Sequence, residues 1–296
     1  MTEKKEDIIS EFQNKHYYCL KDINFIIKNS FGEKTSDVVE TMIRNIKFYD
    51  SFISSIKKQS NFNKDRMGRL ILNAWYHEAK LNYPSDSNER IKFVGWQIIT
   101  FYYTIYSALS CVVRSSNQKL FGHDYMINFF TNNFIKTSKC QNPFFKEPFN
   151  VYIKEDKSIH NKVDQKVKIE YCMNIAYSLY KKRYEKNPKK LSLFHYFKFL
   201  REWANYQNPF LFIELYGSTL KHVTDNCLLN ISNCFLSYVE IYYLKFLGWE
   251  EYERLFKEFE TKMTNNLKVK TPSSQRFLIY EKNKTIIFSN QTRLTF

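Results

Sequence analysis

FYYTIYSALSCVVRSSNQKLFGHDYMINFF, residues 101–130, decides the fold class. Its first half is uncharged and rich in aromatic and small residues. No charged side chain occurs from Phe93 to Val113. Gln97, Thr100, Thr104, Ser107 and Cys111 recur at alternating three and four, which puts a small-polar stripe on one face of a helix. The spacing predicts a helix over 89–114 that is buried, with Thr104 and Ser107 meeting a neighbouring helix closely. The apolar run is about long enough to cross a bilayer. The stripe, the amphipathic flanking segments and the lack of a positive-inside asymmetry argue instead for a helix packed by protein, with no membrane partner. After a polar linker come Gly122 and His123, and then a second apolar helix over 125–135. Asp124 is its N-cap or first-turn acid.

Further along, residues 200–206 read LREWANY. Together the two stretches resemble HEPN domains, the higher-eukaryote and prokaryote nucleotide-binding family. In that family a helix with small residues and paired tyrosines leads through a polar turn to a His that opens the next helix. A Leu-Arg-x-x-Ala-Asp-Tyr segment follows in one branch. The resemblance spans about half the chain, in two pieces. It implies an all-α protein with a HEPN-like helical bundle over residues 64–260. An N-terminal helical pair, 1–63, precedes the bundle. An insertion near 138–163 interrupts it, with Pro143, Pro148 and a strand-like FNVYI at 149–153. The tail, 261–296, reads as short strands: Arg276–Tyr280 and Thr285–Phe288 flank EKNK like a β-hairpin.

Other elements follow from periodicity. Residues 5–30 and 35–59 read as helices, the second capped by Thr35 or Ser36. Asn63–Tyr83 is helical with Leu70, Ala74, Trp75 and Leu81 on its apolar face, and Tyr83-Pro84 ends it. Residues 164–186 and 191–206 are helical, as is the run to Leu247. Gly248 caps that run, and Trp249–Met263 is a short amphipathic helix.

The chain has 296 residues, 44% hydrophobic and 25% charged, the balance of an ordinary globular protein. Six Gly and six Pro are few for this length and favour long helices over tight turns. The formal net charge of +15 fits a polyanionic partner such as RNA. It also fits a Lys-, Asn- and Ile-rich coding bias with no partner at all. The six cysteines are scattered without zinc-ligand spacing, and they read as reduced thiols of a cytoplasmic protein. The first residues, MTEKKEDIIS, are charged and hold no apolar run, so no secretory signal is expected. No phosphate-cradling loop, dinucleotide fingerprint or nucleophile elbow is present, and no metal or cofactor is expected.

The family resemblance implies a specific chemistry. Family ribonucleases use an Arg, about four to six residues, then a His, for metal-independent cleavage through the ribose 2′-hydroxyl. Two protomers commonly pair, so a homodimer is expected. The Arg matches Arg201. A His would then be required at Tyr206, Gln207 or Asn208, and none is there. Asn cannot shuttle a proton at neutral pH. Arg114 and His123 are separated by eight residues, too many for the motif. His123 matches the family's helix-opening His, a position that also suits a side chain tying down the helix start. Arg201, Asn205 and Tyr206 form one candidate phosphate contact. Lys181, Lys182, Arg183 and Tyr184 form a second, where Lys neutralises phosphate and Tyr stacks on unpaired bases. A solvated helix end explains the second cluster equally.

The expectation is an atypical, non-catalytic HEPN-like protein that binds RNA or a nucleotide, in a toxin–antitoxin or defence setting. Two alternatives stand beside it. One is a metal-independent ribonuclease with a displaced His, using His123 with Arg114 or Arg201. The other is a helical interaction scaffold.

Overall fold

Apolar spacing of three and four becomes helix throughout the part of the chain that the computed structural model describes. Those residues are 20–21, 23–25, 27–47, 49–50, 64–82, 94–115, 122–130, 193–202, 204–205, 218–263 and 271–289. The helices named below are α1 Thr35–Arg44, α2 Lys64–Leu81, α3 Val94–Ser115, α4 Gly122–Phe130, α5 Leu193–Glu202, α6 Ser218–Leu247, α7 Trp249–Met263, α8 Pro272–Lys282 and α9 Lys284–Phe288. Among the described residues there is no strand, so the fold class is all-α. No described helix is long and apolar enough to cross a membrane.

The chain forms two compact units, each drawn from several stretches rather than one continuous block. The first takes Met1–Ser30, Pro84–Tyr102 and Phe145–Ile231; the second takes Phe31–Tyr83, Tyr103–Phe144 and Ser232–Phe296.

In the second unit α6 forms the centre. Every residue from 232 to 246 is buried, polar ones included. A helix buried on all sides has no solvent face to keep polar, which explains why its sequence lacks amphipathic contrast. α7 packs on α2, and α8 packs on both α1 and α2. Trp75 of α2 is the hub of the first contact. Its ring meets Tyr252 at 5.5 Å, Phe256 at 5.8 Å and Phe259 at 5.7 Å, the first two edge to face. Phe277 of α8 stacks on Phe256 at 4.1 Å. Burying one such Phe contributes about 1.5–3 kcal/mol. Edge-to-face pairing adds about 0.5–1.5 kcal/mol per pair.

Two glycines set the approach of these helices. Gly248 takes φ +95°, and its N–H reaches Leu244 O at 2.8 Å, closing α6 and turning the chain into α7 as its position predicts. Gly68 lets α2 come close: a Cβ there would stand 3.1 Å from Leu255 Cδ1 and 3.2 Å from Cδ2.

α3 is buried as its stripe predicts. Thr104 is fully enclosed and Ser107 is 7% exposed. In the second unit only Tyr103, Tyr106 and Arg114 of this helix reach partial exposure. At its end the Ser115 hydroxyl bonds to Val112 O at 2.6 Å and to the Tyr242 hydroxyl, pinning α3 to α6.

In the first unit, residues 194–202 of α5 are all buried. Phe197 meets Phe101 edge to face at 4.8 Å, and Lys198 pairs with Glu202 at 3.3 Å.

The tail corrects the sequence reading. Residues 276–280 and 285–288 are helical, not a hairpin. RFLIY has local strand character, but the preceding Thr271-Pro272 starts a helix. Thr271 Oγ1 accepts from Ser274 N–H at 3.2 Å, and Pro272 occupies the first turn, where a missing N–H costs nothing. Burial then follows helical spacing, with Pro272, Ser273, Arg276 and Tyr280 inward. The cap of α1 also differs from expectation. It is Lys34, and its N–H is accepted by the Asp37 carboxylate at 3.2 Å. The expected insertion at 138–163 lies outside the described residues.

Candidate nucleic-acid interface

The α2–α3 contact of the second unit builds the most chemically suggestive surface. His77 of α2 stacks on Tyr103 of α3, with centroids 5.9 Å apart and planes at 28°. Arg66, three turns earlier on α2, acts electrostatically on Arg114, three turns later on α3. The two helices therefore run antiparallel across this face. On α2 the residues Arg66, Arg69, Asn73, His77 and Lys80 follow at three or four, one stripe of the helix surface. Arg66, Arg69, Asn73 and Lys80 are exposed and His77 is half-buried. On α3 the facing side chains are Tyr103, Tyr106 and Arg114.

α4 adds the last ring. His123 lies against Tyr106 at 4.2 Å and against Tyr103 edge-on at 6.3 Å. A row of two phenols and two imidazoles thus crosses three helices, with all four rings half-buried. Cations continue from it along α2 and α3. Burial pushes the Tyr106 phenol up, so it stays protonated. Burial, then the charge of Lys80, pulls His77 below its ordinary value, so its imidazole is neutral at pH 7. Burial, then the like charge of Arg66, pulls Arg114 down. The Arg114 guanidinium still remains charged.

Half-exposed rings offer faces on which unpaired bases stack, and guanidinium forks bind phosphate oxygens in pairs. The ring end and the guanidinium end are about 16 Å apart along the helix axis. At about 3.4 Å per nucleotide, that span suits a strand of about five stacked bases rather than one nucleotide.

The structure places the sequence-derived candidates as follows. His123 sits in the ring row. Arg114 lies about 12 Å further along α3 than Tyr106, the ring that His123 touches. Arg201 belongs to the first unit, is 9% exposed, and holds its guanidinium 5.9 Å over the Tyr102 ring. Asn205 is half-buried. Tyr206, Lys181, Lys182, Arg183 and Tyr184 lie outside the described residues. Sequence reasoning missed His77, Tyr103, Tyr106, Arg66 and Arg69 as site residues. The signal that could have found the α2 residues is the repeat of Arg66, Arg69, Asn73, His77 and Lys80 at three and four, which the reading of the apolar face passed over; the pairing with α3 left no such signal.

A second polar cluster is wholly internal. Arg276 of α8 gives Nη1 and Nη2 to the Glu78 carboxylate, each at 2.7 Å. It gives Nε and Nη2 to Glu240, each at 2.8 Å, and Nη1 to Asn233 Oδ1 at 2.7 Å. Trp75 Nε1 and the Tyr252 hydroxyl also donate to Glu240. All five guanidinium donors are used. With no exposed atom on Arg276, Glu78 or Glu240, this is a brace and not a binding site. Among the described residues no group of His, Cys, Asp and Glu could hold a metal ion. Cys111, Cys227 and Cys234 are free and buried, and burial pushes the Cys227 thiol up to about 11, far from a reactive thiolate.

Compared with models of protein families, with curated proteins and with solved structures, the chain matches none.

Proposed function

We propose that this chain is an atypical HEPN-like protein that binds single-stranded RNA along the α2–α3 face without cleaving it. One observation carries the reading. The half-buried rings of His77, Tyr103, Tyr106 and His123 continue into a cationic stripe of Arg66, Arg69, Lys80 and Arg114 on the same face. The net charge of +15 supports it. The missing His after Arg201 supports binding without cleavage.

Binding of a labelled single-stranded RNA, measured across a salt series with EDTA present, tests the reading. Affinity should fall steeply with salt. Arg66→Ala combined with Arg69→Ala should weaken binding and reduce the log–log salt slope by about 1.4, at about 0.7 per phosphate contact on a single strand. The melting temperature should barely move, because both side chains are exposed. Binding that is absent at micromolar protein, or insensitive to salt, defeats the reading.

A second reading is favoured by the two imidazoles flanking Tyr103, a pair capable of acid–base work. RNA cleavage that survives EDTA and disappears in His123→Ala would replace the first reading with this one.

A further inference from the structure

We propose that His77 makes this interface respond to pH: when its imidazole takes up a proton, a new cation appears in the α2 stripe and the bound strand is held more tightly. The inference rests on the RNA-binding reading above and adds a regulator to the same face.

Position 77 is what makes this residue decisive. It falls on the stripe between Asn73 and Lys80, so a strand tracking the α2 cations passes over it. Its ring stacks on that of Tyr103, and it is half-buried, so protons still reach it. Among the described residues, the following groups face it or its neighbours. Lys80 is the next charge along α2. Tyr103 covers its ring from α3, and His123 of α4 lies on that tyrosine. Glu78 points into the core, where Arg276 of α8 holds it. From α7, Glu258 and Lys262 act on the neighbouring Tyr76. The charge acting on His77 is thus the positive one of Lys80, which together with burial keeps the imidazole neutral at pH 7.

A phosphate resting on Lys80 changes that balance. Its negative charge favours the imidazolium, so binding raises the proton affinity of His77. The coupling is reciprocal: whatever the ligand does for the proton, the proton does for the ligand. Affinity therefore rises as pH falls, by up to about tenfold per pH unit over the range where one proton is taken up on binding. His77 is a positioning and charge-supplying residue in this scheme, and no covalent step is involved.

Filter binding of radiolabelled oligouridine to the full chain, from about pH 5.5 to 8 at constant ionic strength, tests the proposal. Uracil does not titrate in that range, and an internally labelled oligomer without terminal phosphate carries only diesters, so a slope belongs to the protein. The wild type should bind more tightly as pH falls. His77→Gln should bind with a much flatter pH slope. His77→Arg, permanently charged, should show a similarly flat slope and should bind more tightly than His77→Gln at every pH. The imidazole resonance of His77, followed by NMR, should titrate at higher pH with oligouridine than without it.

Salt-dependent binding that is flat with pH in the wild type, or a slope undiminished in His77→Gln, overturns this inference and leaves the binding reading intact. Absence of oligouridine binding at every pH overturns both.

Discussion

Arg276 and Glu78 are 198 positions apart in the chain and meet as a two-pronged ion pair, both N···O distances 2.7 Å, with neither side chain reaching solvent. Glu240 grips the other edge of the same guanidinium. Removing two or three charges from water costs several kcal/mol per ion, and only near-ideal geometry with full hydrogen bonding offsets it. Arg276 thus welds α8 to α2 and α6.

Truncating that residue should expose the cost. Arg276→Ala leaves two carboxylates facing each other in a dry core and should destabilise the fold by about 3–5 kcal/mol. Arg276→Lys should fail as well, because an ammonium cannot fork between two carboxylates. Urea unfolding followed by circular dichroism measures both; a loss below about 1 kcal/mol in Arg276→Ala would contradict the brace.

One guanidinium between two carboxylates leaves excess negative charge, and the pH dependence should show it. Burial pushes the Glu78 carboxyl above its ordinary value of 4.5; Arg276 opposes that shift, and Glu240 adds to it. The folded chain therefore holds a proton that the unfolded chain has already released. The contribution of Glu78 to stability is complete below pH 4.5 and is lost as pH rises through the raised folded value. Unfolding free energies at stepped pH should fall across that window in the wild type. The fall should shrink in Glu78→Gln, whose absolute stability is lower because its amide turns a donor toward Arg276. An unchanged slope in the variant would assign the effect to other groups.

Gly68 should resist any larger side chain. The Leu255 methyls lie 3.1 and 3.2 Å from where its Cβ would be. Gly68→Leu should force α2 and α7 apart and cost about 1–3 kcal/mol. Gly68→Ala tests the same contact more gently. The helix-propensity gain of about 1 kcal/mol should be largely cancelled by crowding, so thermal melting should shift little.

Lys245 ties down α9. Its buried ammonium pairs with Asp50 and donates to Ile287 O at 2.8 Å. Lys245→Met keeps the length and removes both bonds. It should cost about 1–3 kcal/mol, less than a fully buried pair, because Asp50 remains 26% exposed and partly hydrated. Amide exchange in α9 should accelerate before that in α6; equal protection would show that α9 is held by packing alone.

How much of this was legible beforehand varies with the range of the interaction. Trp249–Met263 is helical over the predicted bounds, because its apolar residues repeat at three and four and Gly248 precedes them. The burial of α3 was legible for the same reason: Thr104 and Ser107 could only belong to a closely packed face. Misreading residues 276–280 as a strand came from weighing RFLIY alone and overlooking the Thr271-Pro272 cap beside it.

The sequence by itself determined α2, α3, α7, the Gly248 stop and the three-and-four repeat of Arg66, Arg69 and Lys80, since these depend on residues within one or two turns of each other. Tertiary structure alone decided which helices pair and in what register. It drew His77, Tyr103, Tyr106 and His123 from three helices into one row, left Arg114 about 12 Å along the axis from the ring that His123 touches, and closed Glu78 and Glu240 around Arg276. The reason is that helical periodicity is local, with side chains three and four apart sharing a face whatever surrounds them. Contacts between helices depend on how whole faces interlock, and positions far apart in the chain become neighbours only when the core is built.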